Sequence, residues 1–299
     1  MPEKPKHITP WLCPVCKHNM LDNPLELANN SWRCALGHSF DRAKEGYANL
    51  LLAQHKNSKD PGDNKDMVLA RRAFLEQDHY LPLATEITSL IKTTIQKLGV
   101  QSDGSAHVSI YDAGCGEGYY LAKIKQQLLA DNIEIVASGS DISKTAMQKA
   151  AKKHPDIYYA VASSFNLPVA TASQDIVIQV FAPSSTDEIK RILTGQGCWV
   201  HISPAPEHLF ALKQQVYDSP DKHEAETKIP EGFELVTQRR LSFNIVLDDL
   251  QQRQNLLMMT PFYWTISAEK KQLLLENLSS VSADFDIKLM RKKPDLALS

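Results

Sequence analysis

Four residues near the start of the chain have the types and spacing to hold a metal ion. Cys13 and Cys16 form a C-x2-C knuckle, and Cys34 with His38 forms a C-x3-H pair after a seventeen-residue gap. Two thiolates from one tight turn and a Cys/His pair from another close a tetrahedral Cys3His zinc site. A structural zinc takes all four ligands from protein, so this ion would hold a fold and do no chemistry. His18 is a substitute ligand of second rank, because it lies too near Cys16. The chain has five cysteines in all. The other two, Cys115 and Cys198, read as buried packing residues.

A second constellation is YDAGCGEGYY at 111–120. Gly114, Gly116 and Gly118 fall at every second position, where they let the backbone turn sharply and approach a ligand that a Cβ would strike. A dinucleotide loop would read G-x-G-x-x-G, with a pyrophosphate on the helix N-terminus. Here the third glycine comes one residue early and an acid, Asp112, precedes the turn. That acid suits a ligand with a cationic group and no phosphate, which describes S-adenosylmethionine. Asp141, in SGSDIS, ends the next strand and is placed to accept hydrogen bonds from ribose hydroxyls. Ser163, Ser164 and Phe165 of ASSFNLP are placed to border an adenine ring.

These residues need elements to position them. Short apolar runs predict strands at Val108–Ala113, Glu134–Gly139, Ile157–Val161, Asp175–Phe181 and Cys198–Ser203. Helical spacing predicts helices over Tyr119–Leu129, Lys144–Lys153, Asp187–Leu193 and Glu207–Tyr217. Strand–helix alternation implies a parallel, doubly wound α/β sheet. Phe233–Leu241 and Phe285–Arg291 predict two further strands at an antiparallel edge, with helical Leu247–Met259 between them. Ahead of the sheet, helices are expected from Met67 and over Pro82–Leu98. HKNSKDPGDNKD (55–66) reads as an exposed polar loop.

The expected division is a zinc-binding domain at 1–45, a linker loop and helix at 46–82, and an S-adenosylmethionine-binding α/β domain at 83–299. The first of these is rich in turn formers and shows no long apolar period, so a zinc pin would stand in for a core. A 43% hydrophobic and 23% charged composition is that of an ordinary globular protein. Without a long apolar run or an apolar N-terminal segment, neither a membrane helix nor a signal peptide is expected, and a cytoplasmic location follows. The net charge of −2 excludes a uniformly basic surface. A modest local excess remains between Arg42 and Arg72.

The glycine loop with its two acids resembles the Rossmann-like class I S-adenosylmethionine-dependent methyltransferases. One departure is visible, since their Pro-Gly-Gly turn before the fifth strand reads Thr194-Gly195-Gln196-Gly197 here. The zinc knuckle, FDRAKEGYANLL (40–51), DPGD, GCGEGYY, ASSFNLP, FAPSS, PAPEHL and LLMMTPFYW (256–264) together resemble the bacterial 23S ribosomal RNA guanine-N1 methyltransferases. That resemblance runs over essentially the full chain. It implies zinc on Cys13, Cys16, Cys34 and His38, and cofactor contacts at Tyr80, Gly116, Glu117 and His208. It also implies a guanine target in an RNA hairpin loop, and a homodimer around one RNA cleft. A zinc-stabilised methyltransferase for another RNA, a protein or a small molecule is the alternative.

Phosphate contact is expected from Arg33, Lys44, Lys56, Lys59, Arg71 and Arg72. Base stacking is open to Trp11, Trp32, Phe40, Tyr47 and Trp264. The asparagine-led Asn-Pro-Pro-Tyr signature of amino-methyltransferases is replaced by Phe181-Ala182-Pro183, consistent with a ring-nitrogen target. Glu207, His201 and Asp187 are candidates to take the proton, and none stands out. The expectation is that positioning carries most of the rate.

Overall fold

The computed structural model describes residues 10–52, 62–97, 108–217, 219–224 and 226–294. Lys56 and Lys59 lie outside the described residues, as does most of the expected 55–66 loop. The N-terminal module comprises α1 (Pro14–His18) and a three-stranded antiparallel sheet of β1 (Glu26–Ala28), β2 (Ser31–Arg33) and β3 (Ser39–Asp41). β4 (Ala48–Asn49) leaves the module and pairs in parallel with Ala160 and Val161 at the edge of the large sheet. Helices α2 (Lys65–Leu75) and α3 (Leu81–Lys97) follow. Asn64 caps α2 by accepting from the Met67 amide at 2.9 Å.

The alternating region runs β5 (Val108–Ala113), α4 (Tyr119–Ala130), β6 (Ile135–Asp141), α5 (Lys144–Lys153), β7 (Tyr158–Val161), β8 (Gln174–Val180), α6 (Thr186–Ile192) and β9 (Leu193–Pro204). Then come α7 (Phe210–Val216), β10 (Phe233–Val246), α8 (Leu250–Met258), a 3-10 turn at Pro261–Trp264, α9 (Ala268–Asn277) and β11 (Ser280–Lys292). The eight-stranded order is β10-β11-β9-β8-β5-β6-β7-β4. Strands β4 to β9 are parallel, and β11 enters antiparallel between β9 and β10. Because β6 and β7 extend to one side of β5 while β8 and β9 extend to the other, the order reverses between β5 and β8. A crevice opens there at the carboxyl ends of the strands.

Both sheet faces are covered. Val108, Ile110, Ile176 and Val200 pack with Leu83, Ile87 and Leu121 on one face. Tyr111, Val177, Trp199 and Phe233 pack on the other with Trp11, Leu25 and Trp32 of the N-terminal module. The expectation of a coreless, metal-pinned module is thereby corrected. Trp11 and Trp32 are 1% and 3% exposed, and burying an indole contributes about 4–6 kcal/mol at about 25 cal/mol per Å². The module borrows its apolar partners from the sheet, which is why its own sequence shows so little periodicity. The Leu12 amide donates to the Pro168 carbonyl at 2.9 Å, the Leu50 amide to Val161 at 3.0 Å, and Lys17 pairs with Glu188 at 2.7 Å.

Among the elements that differ from the sequence reading, three have a plain local reason. The Glu207–Tyr217 helix starts only at Phe210, because Leu209 is left-handed at φ +51° and ends helical geometry ahead of it. Thr194–Gly197 is no external turn: β9 already pairs at Leu193 with Gln174, and the register resumes at Cys198 with Ile176, so the four residues bulge from within the strand. Helix α9 was not anticipated, since it buries only Leu274 and so carries almost no periodic signal.

Candidate active site and metal centre

The four expected metal ligands converge. The ligand atoms of Cys13, Cys16, Cys34 and His38 all lie within 4.8 Å of one another, with the three thiols buried. Cys16 and Cys34 Sγ are 3.8 Å apart, and His38 Nδ1 is 3.5, 3.3 and 3.4 Å from Cys13, Cys16 and Cys34 Sγ. A zinc tetrahedron with bonds of about 2.3 Å to sulfur and about 2.0–2.1 Å to nitrogen has edges of about 3.8 Å between sulfurs and about 3.6 Å between sulfur and nitrogen. The cluster therefore fits zinc in size as well as in ligand type. α1 contributes Cys16, and its preceding residue is Cys13. The Asn23 amide donates to Cys16 Sγ at 3.4 Å, an outer contact that steadies a thiolate ligand. With all four positions protein-filled, the ion would stabilise and not catalyse. Burial raises the Cys13 thiol, and zinc binding there would release its proton.

The second site is a cavity of about 620 Å³ at the β5–β8 reversal, a size that suits a small ligand. Asp112, Gly114, Gly116, Glu117, Asp141, Tyr80 and His208 all line it. Gly118 opens α4 at φ +85°, and an added Cβ would collide with the Tyr159 hydroxyl. At Gly114, φ is +83° and a Cβ would collide with that of Ala182. Gly116 sits at φ +54° with no described protein atom within 4 Å of an added Cβ, so its side faces the cavity. The loop is tied down by Asp141, whose Oδ2 accepts from the Gly116 amide at 3.0 Å and whose Oδ1 accepts from Ser143 at 2.8 Å.

The cavity holds buried polar atoms without a protein partner. Both carboxylate oxygens of Asp112, Glu117 Oε1 and the Tyr80 hydroxyl make no hydrogen bond among the described residues. Burial, with the nearby Asp141 charge, raises Asp112 to about 8. Burial likewise raises Glu117 and Asp141. Three acids held high in one pocket await a cation. That donor set fits the ammonium and hydroxyl groups of S-adenosylmethionine.

His208 is neutral by construction. Burial lowers it to about 4, and its Nδ1 accepts from the Asp284 amide at 3.3 Å, which leaves Nε2–H as a donor. Asp284, wholly buried, also accepts from Glu207 N at 2.9 Å and from Arg240 at 2.9 and 2.7 Å, so it pins the PAPEHL turn to β11. Tyr80, Phe181 and His208 surround Phe285, with ring centroids at 5.3, 5.5 and 4.9 Å.

Other expected residues are placed elsewhere. Ser164 and Phe165 do not line the cavity; Ser164 Oγ donates to the Pro183 carbonyl at 2.5 Å, and Phe165 is 60% exposed. Glu207, His201 and Asp187 are also absent from its walls. Glu207 pairs with Lys222 at 2.5 Å, and His201 faces Glu226 at 3.5 Å. Arg33 and Lys44 are exposed on the zinc module. Arg71 lines the cofactor cavity and bridges Asp63 to the Met259 carbonyl, while Arg72 pairs with Glu76 at 2.8 Å. Trp11, Trp32 and Tyr47 are buried, Phe40 is partly buried, and Trp264 is 47% exposed.

Sequence reasoning passed over Gly62, Asp63, Lys213, His223 and Met259–Phe262 as cavity residues. The DPGD and LLMMTPFYW stretches were visible as distinctive strings, but nothing local ties them to a glycine loop far along the chain. One outcome follows from the loop geometry. Gly114→Ala is expected to cost about 2–4 kcal/mol in a denaturant melt, because a left-handed backbone and a collision add. Gly116→Ala is expected to cost about 1 kcal/mol, because it meets only the backbone penalty. Equal losses would refute this division.

The fold and the two sites define a Rossmann-like class I methyltransferase carrying an N-terminal zinc ribbon. Residues 11–59 match the zinc-ribbon family described as RlmA, N-terminal, and residues 110–197 match the methyltransferase domain family. A Streptomyces fradiae protein named 23S rRNA (guanine(748)-N(1))-methyltransferase is 32% identical over 251 residues, covering 81% of this chain and 82% of that one. A Bacillus subtilis (strain 168) protein, YxjB, provisionally named to the same guanine-N1 class, is 30% identical over 284 residues, 92% of this chain and 94% of its own. The chain belongs to this family of 23S rRNA (guanine-N1)-methyltransferases. Among solved structures, the MccD protein aligns with a TM-score of 0.45 and 18% identity over 68% of this chain and 96% of that one. No described helix is long and apolar enough to cross a membrane.

Proposed function

We propose that this chain transfers the methyl group of S-adenosylmethionine to N1 of a guanine in a hairpin loop of 23S ribosomal RNA, acting as a cytoplasmic homodimer. The observation that carries the reading is the pairing of a cavity holding the unpartnered Asp112 and Glu117 carboxylates with a zinc ribbon built into the same core, in a chain similar to guanine-N1 methyltransferases over most of its length. The cofactor would supply an electrophilic methyl on a sulfonium. Asp112, Glu117, Asp141, Tyr80 and the Nε2–H of His208 would hold and orient it. The exposed cations Arg33 and Lys44 of the ribbon are suited to RNA phosphates.

Methyl transfer is an in-line displacement, so alignment is the enzyme's main contribution. Guanine N1 must lose its proton as it attacks, and with Glu207, His201 and Asp187 elsewhere the proton passes to solvent water. Positioning of the base beside neutral donors, with no single dominant base, fits a cavity in which Glu207, His201 and Asp187 have no part. The test is transfer of labelled methyl from S-adenosylmethionine to large-subunit RNA lacking its native modifications. A reverse-transcription stop then maps the site, since an N1 methyl blocks Watson–Crick pairing. One strong stop at a loop guanine is the expected result. Unlabelled RNA from a protein that still binds the cofactor would overturn the reading and direct the search to another RNA, a protein or a small molecule.

A further inference from the structure

The cavity continues past the acids to an aromatic wall. Phe181 follows β8 directly, on the far side of the strand-order reversal from Asp141, and lines the cavity with His208, Pro261 and Phe262. Its backbone is left-handed at φ +56°, which a bulky residue adopts only when its surroundings enforce it. The enforcement is visible. Its amide donates to the Ile202 carbonyl at 3.1 Å, Gln179 Nε2 donates to the Ala182 carbonyl, and Ser164 Oγ donates to Pro183. Ala182 is wedged against Gly114.

The strain is not spent on burying the ring. Phe181 remains 42% exposed although it packs against Phe285 at 5.5 Å and 37° and against His208 at 5.6 Å and 32°. A flat aromatic is thus braced from behind and presented to the cavity. The Phe181–Pro183 segment offers no polar side chain, so it holds a planar group by its face and not by an edge. Asp112 and Asp141 stand on β5 and β6 and Glu117 in the loop ahead of α4, so the carboxylate-bound part of the cofactor lies across the reversal from Phe181, with His208 between the two.

We propose that Phe181 is the stacking platform for the acceptor guanine, an inference that rests on the methyltransferase reading above. Its braced ring receives the splayed base and sets the angle at which N1 meets the methyl donor. A base stacked on an aromatic gains enough that losing it changes affinity or rate by about 5- to 150-fold. Glycine at this position would relieve the left-handed backbone and keep the fold, which separates the ring's role from stability.

The test compares wild type with Phe181→Leu, Phe181→Gly, Phe181→Trp and Phe181→Tyr. For each, single-turnover methyl transfer to unmodified large-subunit RNA, cofactor affinity by calorimetry and thermal melting would be measured. Phe181→Leu and Phe181→Gly are expected to lose about 5- to 150-fold in RNA transfer with cofactor affinity unchanged. Phe181→Trp and Phe181→Tyr are expected to stay within about threefold of wild type, since both keep an aromatic face. Leu and Gly variants as active as wild type would overturn the proposal, as would an equal loss of cofactor affinity, which would make the ring a cofactor contact. Wild-type protein that fails to label RNA would instead sink the methyltransferase reading on which the proposal stands.

Discussion

Cys16→Ser is expected to release the zinc and take the stability of the whole chain with it. Structural zinc in small domains contributes on the order of 10–16 kcal/mol at neutral pH, comparable with the total stability of a domain. Here the loss cannot stay local, because Trp11, Leu25 and Trp32 pack in one cluster with Tyr111, Val177 and Trp199 of the large sheet. β4 also fastens the module to β7 through the Ala48–Ala160 and Asn49–Val161 pairs. Metal content by atomic absorption should fall from one zinc per chain to near zero, and the main melting transition should drop by more than about 10 °C. Cys198→Ala, a buried cysteine outside the cluster, should keep its zinc and lose only about 1–2 kcal/mol. A Cys16→Ser protein that still melts with the wild type would show that the ribbon is an independent appendage.

The second large effect concerns pH. Asp112 is raised from 3.8 to about 8 by burial and by the neighbouring Asp141 charge. A cationic ligand prefers the ionised carboxylate, so binding must expel a proton whenever the pH is below that value. Affinity for S-adenosylmethionine, measured by calorimetry, should therefore climb with a slope approaching about tenfold per pH unit between pH 6 and 8. It should level off above, where the ligand's own α-ammonium begins to lose its proton at about 7.7–8.0. Asp112→Asn should flatten the slope to the share carried by Glu117 and Asp141, and weaken binding at pH 8 by about a hundredfold, the loss of one charge-assisted contact. A flat wild-type profile would refute this.

The same shift governs the free protein in the opposite sense. Between about 4 and 8 the folded state keeps a proton on Asp112 that the unfolded chain has released. Its contribution to stability is thus full at low pH and is lost as pH rises through that window. Cofactor binding at pH 8 should raise the melting temperature more than it does at pH 6.

The sequence by itself determined the features written in local spacing. The C-x2-C and C-x3-H pairs converge as expected, the glycine loop opens α4, and Asp112 and Asp141 lie at the carboxyl ends of adjacent parallel strands. Strand β5 and helix α5 match their expected bounds residue for residue, because a short apolar run and a capping serine are properties of a few neighbouring residues. Tertiary structure alone decided the rest. Phe181, Met259–Phe262 and Asp63 meet at one cavity only because the strand order reverses between β5 and β8 and later elements fold over that crevice. The same holds for the zinc ribbon's core, whose apolar partners lie more than a hundred residues away on Val177 and Trp199. Local spacing records which residues share a turn or a face. Which distant faces then close on each other depends on burying apolar area across the whole chain, and no short window of sequence carries that sum.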